Sequence, residues 1–494
     1  MSILKKLAGQ TAIYGIPSIV GRLINFLLIF LFTQYFDPTV FAAHTEFYAY
    51  AAFFLVLIPH GMETAYFNFI RRGEDIKEVF TTTFVSVLVL VLSFTALAFV
   101  FSQQVADFMN YSEHPEYVRW FALILLFDVL AMIPFAQLRH LQKAKRFALI
   151  RSLGIFVNIG LNVVLIVFFP RWFTGEEWFY SPSMGIGYVF IANLIASAMM
   201  FLLLIPDTLR YLGSFNKQLW KKMMGYAWPL IFVGLAGIVN ETFDRAAMDK
   251  LLTSENPKFD IGVYGAFYKL SIIITIFIQA FRYAAEPFFF ERAKDKDAKL
   301  VYAEVMNYFV ATCLIIALST QIFIHEIAPL AIRQSSYFNH VDALNIVPIL
   351  LLANVFLGVL YNLSIWYKVE ERTKLGAAIS IGGAAMTIVL LLAFVPRYGI
   401  IAAATTTLLV YVAMTIASYF MGQKYYPVPY KIGKMLFLLL LAVAIYFMDL
   451  HFLNQHDLSN SDASQSSITM LLKALIVICY SVVVYIVVIR PKKN

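Results

Sequence analysis

Three cations sit where water should be scarce. Arg22 lies about ten residues into a first apolar stretch that includes YGIPSIVGRLINFLLIF (14–30), or ~15 Å deep at 1.5 Å per residue. Its helical face carries Tyr14, Ser18 and Asn25. Lys269 and Arg282 fall in a second apolar stretch, 261–290. There Tyr264, Tyr268, Ser271, Thr275, Gln279, Arg282 and Glu286 recur three or four residues apart and form one polar seam, with Lys269 about 100° off it. A charge at the bilayer centre costs roughly 2.5–3.5 kcal/mol on insertion scales, so such residues face a bundle interior or a water-filled cavity. The chemistry they offer is anion binding, because guanidinium forks and ammonium charges hold phosphate and pyrophosphate well. The competing reading is internal neutralisation. Glu63 lies at the depth of Arg282, Glu286 is one turn from it, and Asp128 is a mid-span partner for Arg22. The seam itself could equally be polar helix–helix packing.

Carboxylates within apolar stretches bring a second chemistry. Asp128 is mid-span, Glu46 lies near the outer end of its stretch, and Asn240, Glu241 and Asp244 lie near the outer end of theirs. A buried carboxylate can carry a proton or bind sodium, so coupling to a proton or sodium gradient, or to the membrane potential, is the expectation. No cofactor and no metal are expected. Cys313 and Cys479 both fall in apolar segments and make neither a disulfide framework nor a metal motif.

The elements that must position these groups follow from composition. The chain has 494 residues, 61% hydrophobic and 14% charged, against about 45–50% and about 25% in soluble domains. The excess lies in blocks long enough to cross a core about 30 Å thick. Fourteen helical spans are predicted, at 11–35, 43–69, 79–101, 118–138, 148–169, 184–206, 223–244, 261–290, 301–324, 341–366, 375–395, 399–421, 432–450 and 468–489. The first is too long for a signal-peptide core and lacks a small-x-small cleavage site, so it reads as a retained helix. Most of the 38 lysines and arginines lie on connections that share a side with the N-terminus, such as 139–151 and 292–299. The positive-inside rule therefore places both termini in the cytoplasm, and the even span number agrees. The net charge of +8 reflects this asymmetry and not nucleic-acid binding. No connection is long enough for a folded extramembrane domain, and the longest, 451–467, is polar and reads as flexible.

An internal repeat is visible. Tyr14-x-x-Pro17 with Gly21 in the first span matches Tyr226-x-x-Pro229 with Gly234 in the seventh. GMETAYFNFIRR (61–72) ends the second span as FRYAAEPFFFERA (281–293) ends the eighth. The reading is two same-orientation lobes, 1–210 (spans 1–6) and 211–422 (spans 7–12), with 423–494 (spans 13 and 14) outside the repeat. Repeat-built transporters place substrate at such a pseudo-symmetric centre and alternate its exposure.

The fourteen spans, duplicated lobes, basic first helix and GMETAYFNF together resemble the Wzx-like polysaccharide-biosynthesis flippases of the multidrug/oligosaccharidyl-lipid/polysaccharide exporter superfamily. The resemblance implies an all-α integral membrane protein of the bacterial inner membrane. It would flip an undecaprenyl-diphosphate-linked oligosaccharide, as for lipopolysaccharide, from the cytoplasmic to the periplasmic leaflet. It also implies a cationic central cavity, with Arg22 at a matching position, and extra helices 13 and 14 like those thought to form a lipid-tail groove in the lipid II flippase. Arg22, Asn25, Lys269, Arg282, Tyr264, Tyr268 and Gln279 are the candidate contacts to diphosphate and sugar. Asp128, Glu63, Glu286 and Asp244 are the candidates for ion coupling or internal pairing. The expected partners are the polyprenyl-linked glycan, membrane lipids and other polysaccharide-assembly proteins, with no nucleic acid. Two other readings stay open: a cation-coupled drug or metabolite exporter of the same superfamily, and a membrane polysaccharide polymerase or glycosyltransferase. The enzyme reading lacks a catalytic loop, since Asp295 and Asp297 lie among lysines and read as a solvated turn.

Overall fold

The computed structural model describes Gly21, Leu23, Ile24 and residues 26–173, 181–453 and 463–489. Among the described residues the regular elements are all helical, as a lipid-embedded backbone requires when it must satisfy its own N–H and C=O groups. A short apolar helix, α1 (Phe26–Tyr35), is the described part of the expected first span. It is followed by α2 (Pro38–Leu57), α3 (Met62–Arg71), α4 (Ile76–Val100), α5 (Ser102–Phe108), α6 (Pro115–His140), α7 (Ala144–Val163), α8 (Phe169–Trp172) and α9 (Gly187–Tyr211). Then come α10 (Lys217–Leu251), α11 (Pro257–Arg292), α12 (Ala298–Ile322), α13 (Ile324–Ala331), α14 (Ile346–Leu363) and α15 (Ile365–Val369). The chain ends with α16 (Thr373–Tyr425), α17 (Ile432–Met448) and α18 (Ala463–Val484). Twelve helical stretches among the described residues are long and apolar enough to cross a membrane. At 53 residues α16 would run ~80 Å if straight, far more than a core of about 30 Å. It is two of the expected spans, separated at Gly399 (φ 58°, ψ −142°). The protein is thus a multi-pass all-α membrane protein. The expected polar connection 451–467 is shorter than read, because α18 already begins at Ala463, and 454–462 lie outside the described residues.

Local sequence explains where several helices begin. Asp37 accepts from Thr39 N at 2.9 Å and Val40 N at 3.2 Å, with Pro38 following it, so α2 starts there. Asp75 caps α4 through Glu78 N at 2.9 Å. Asn216 caps α10, and its own N–H donates to Thr82 Oγ1 at 3.1 Å.

Packing divides the chain into two compact units, Met1–Gly265 and Ala266–Asn494. In the first, α10 lies against α2 and α3, and Met62, Tyr66, Phe80, Ile133 and Met223 are core residues. The start of α11 meets α2 almost backbone to backbone. A Cβ on Gly262 would fall 1.8 Å from Pro38 O, and one on Gly265 would fall 2.0 Å from Thr45 Oγ1. Close approach of this kind is what small residues permit where lipid removes the hydrophobic drive for helix association. In the second unit α14 packs on α16, around Trp366, Tyr302, Val410 and Tyr411. The Trp366 indole is buried and donates to Ser418 Oγ at 3.2 Å.

Candidate functional site

The glycines of α11 bring Lys258 onto α2, and a buried charge cluster forms around it in the first unit. Lys258 Nζ donates to Glu46 Oε2 at 2.7 Å and Oε1 at 3.0 Å, and to Met109 O at 2.8 Å. It also pairs with Asp249 Oδ1 at 2.8 Å. Asp249 is further held by Lys250 at 2.9 Å and by Asn110 Nδ2 at 2.9 Å. The Tyr111 hydroxyl donates to Glu46, and the Lys258 ammonium sits 4.1 Å from the Tyr111 ring centroid. Burial, and then the Glu46 charge, push the Tyr111 phenol well above its ordinary value, so it stays a donor. Glu46 is 1% exposed and Asp249 3%. The sequence offers Glu46 as a coupling candidate and does not announce Lys258 as its partner. Their proximity depends on the α2–α11 register, which no local motif announces.

The predicted seam on α11 divides into three environments. At its N-terminal end Tyr264 is fully buried and donates to Asp244 Oδ2 at 2.6 Å. Asp244 also accepts from the backbone N–H of Arg245 at 2.8 Å. In the middle, Ser271 accepts from Asn354 Nδ2 at 3.1 Å, so this part of the seam is helix–helix packing against α14. Tyr268 is buried, whereas Lys269 and Gln279 are half-buried. At the C-terminal end Arg282 and Glu286 line a narrow recess of about 20 Å³ with Lys368, Tyr361, Asn362 and the side chains of Phe281 and Phe309. Glu286 pairs with Lys368 at 2.6 Å and not with Arg282. The Arg282 guanidinium instead lies 4.2 Å from the Tyr361 ring centroid.

The remaining predicted residues scatter. Glu63 pairs with Arg139, which explains its depth without Arg282. Asp128 lies mid-way along α6, within electrostatic reach of Arg151. Arg22 and Asn25 lie outside the described residues. Among the described residues no group of three His, Cys, Asp or Glu could hold a metal ion. Arg292 and Asp295 pair at 3.2 Å on the exposed surface, in line with a solvated turn.

The second unit also contains two apolar cavities of about 430 and 330 Å³, sharing Leu314, Val355 and Leu439 from α12, α14 and α17. Beyond them α18 packs on α12. Lys473 of α18 is completely buried and pairs with Glu326 of α13 at 2.7 Å. Lys473 lies within the expected span 468–489, and the sequence names no partner for it.

Residues 7–293 match the family model described as polysaccharide biosynthesis protein. No curated protein matches the chain at the sequence level. Among solved structures, the lipid II flippase MurJ in an inward closed conformation superposes with a TM-score of 0.74 at 15% identity, covering 97% of this chain and 99% of that one. A multidrug resistance MATE family transporter of the MOP superfamily, inward-facing, gives 0.64 at 15% identity over 84% of this chain and 94% of that one. A MATE protein in a straight conformation gives 0.58 at 14% identity over 85% and 95%.

Proposed function

The chain belongs to the polysaccharide biosynthesis protein family, and on that premise we propose that it flips an undecaprenyl-diphosphate-linked oligosaccharide from the cytoplasmic to the periplasmic leaflet by alternating access. The cargo's head cannot cross hydrocarbon, and its tail need not leave it. Lobes 1–210 and 211–422 supply the alternating exposure in the bacterial inner membrane, with both termini cytoplasmic, and a gradient or the membrane potential drives the cycle. Arg22, Lys269 and Arg282 offset the diphosphate charge, and Asn25 is a polar contact to diphosphate or sugar. Tyr268 and Gln279 meet sugar, and Tyr264 offers its ring while its hydroxyl is held by Asp244. Asp128, Glu63, Glu286 and Asp244 carry coupling charge or balance the cations. Spans 13 and 14 shelter the tail.

The observation that most supports this reading is the Arg282 recess at the end of α11, in the same unit as apolar cavities of about 430 and 330 Å³. That is one charged recess beside apolar space that suits a hydrocarbon chain. The second reading, a drug or metabolite exporter, draws on the likeness to MATE transporters. It is less favoured because cationic drugs call for acidic recesses. The test is Arg22→Ala with expression verified. Surface polysaccharide should disappear and lipid-linked precursor should accumulate on the inner leaflet, with partial recovery in Arg22→Lys. Normal export in Arg22→Ala would remove the cargo role of this arginine.

A further inference from the structure

The second span is not one continuous helix. α2 ends at Leu57 and α3 begins at Met62. The 34-residue apolar stretch they share turns between them through two left-handed residues, His60 (φ 39°) and Gly61 (φ 75°). Glycine at 61 has a local reason, since a Cβ there would fall 3.0 Å from Ala227 O of α10. A histidine at positive φ is uncommon, and strained residues of this kind collect at switches. His60 is 3% exposed. Its ring sits in a hydrogen-bond chain that links α10, α4 and the break. Trp220 of α10 donates its indole N–H to Ser86 Oγ of α4 at 2.9 Å. Ser86 Oγ lies 3.0 Å from His60 Nε2, and His60 Nδ1 lies 2.7 Å from Ile58 O. The chain has one sense. Indole only donates and a carbonyl only accepts, so Nδ1 carries the ring proton and Nε2 accepts from the Ser86 hydroxyl. The imidazole held this way is neutral, with both nitrogens satisfied.

A proton arriving at Nε2 reverses that sense. Ser86 Oγ would face two donors, and its own hydroxyl proton would lose its acceptor. The ring would also carry a charge that no described neighbour balances. Glu46 of α2 is engaged by Lys258, and Glu63 of α3 by Arg139 of α6. Glu78 of α4 accepts from Asn216 Nδ2, while Lys221 and Lys222 of α10 are exposed and of the wrong sign. The phenols of Tyr66 on α3 and Tyr226 on α10 stay neutral between pH 5 and 8. A buried charge without a partner is strongly disfavoured, so the break can hold the proton only by opening. We propose that His60 is a proton-binding site that couples proton uptake to opening of the α2–α3 break. The ring is neutral in the arrangement seen here, and it is charged once Nε2 has left Ser86. Histidine suits this task because its charge changes between pH 5 and 8. The contact of Gly61 with Ala227 sets the joint beside Pro229, where α10 lacks a helical hydrogen bond and can bend with it. The site deepens the gradient coupling proposed above and rests on that reading for its purpose, while the proton chemistry rests on the break.

The test is a titration of the purified full-length protein from pH 8 to 5. The signal is the emission of Trp220, taken as the difference between the parent and Trp220→Phe. One transition with the slope of a single proton should appear. Hydrogen exchange of residues 58–64, corrected for intrinsic rates, should rise over the same range. His60→Asn should abolish both changes. Asparagine tolerates the left-handed backbone but takes up no proton, so a histidine kept for its backbone angle alone predicts a titration unchanged by this substitution. If His60→Asn fails to fold, His60→Gly carries the same expectation, because glycine adopts the angle freely. His140→Asn, at the end of α6, should keep the transition. No transition in the parent, or one that persists in the folded His60 variant, would overturn the proposal. The readout needs no cargo. Export lost in Arg22→Ala together with a flat titration would leave the transport reading standing and remove the proton site. Normal export in Arg22→Ala with a His60-dependent transition would do the reverse.

Discussion

Lys258→Met isolates the energetics of the buried charge cluster. Methionine keeps most of the lysine stem and removes its charge. Three contacts to carboxylate oxygens, at 2.7, 3.0 and 2.8 Å, disappear together with the 2.8 Å bond to Met109 O. Asp249 retains Lys250 and Asn110. Among the described residues Glu46, 1% exposed, then retains the Tyr111 hydroxyl, which can donate but carries no charge to neutralise it. An uncompensated buried charge costs about 3–5 kcal/mol. Adding Glu46→Gln removes that charge, so the double variant should recover most of the loss, giving a coupling of ~2 kcal/mol or more in a double-mutant cycle. Unfolding of the purified protein in detergent or bicelles measures each corner. If Lys258→Met lies within about 1 kcal/mol of the parent, as an exposed pair would, the cluster is solvated and the reasoning fails.

Two further outcomes are expected. Lys473→Met should loosen α18 from α12, read as faster proteolysis after the last helix or lost crosslinking between the two. The cost should be smaller, ~1–3 kcal/mol, because the Glu326 side chain left behind is 33% exposed, against 1% for Glu46. Gly262→Ala should abolish assembly of the folded protein, because its Cβ would meet Pro38 O at 1.8 Å, whereas Gly237→Ala, with nothing within 4 Å, should be neutral or stabilising by up to ~1 kcal/mol. Size-exclusion profiles of the two variants from equal membrane preparations separate these cases.

Span positions were legible in the sequence because hydrocarbon imposes one rule on every segment. Each expected span past the first overlaps a helical stretch seen here, and the turn at Gly399 falls between spans 11 and 12 as read. Partners were not legible. Depth alone offered Glu63 and Glu286 as mates for Arg282, yet their cations are Arg139 and Lys368. Those pairings depend on how helices rotate and cross, and a single sequence leaves both free. The partners of Lys258 and Lys473 were illegible for a related reason. A lysine near the end of an apolar stretch gives no sign of its mate until neighbouring helices pack on it. Asn362 and Tyr361 were overlooked because an asparagine and a tyrosine near a span end are unremarkable until an arginine from another helix lies beside them.

The turn at Gly399 has a consequence for biosynthesis. A Cβ there would touch nothing, so only the backbone angle demands glycine. With a single non-helical residue between two apolar spans, no stretch of chain exists that could wait in water while the second span is made. The two halves of α16 must therefore enter the bilayer together as a helical hairpin, and the translocation machinery must accept both before it releases either.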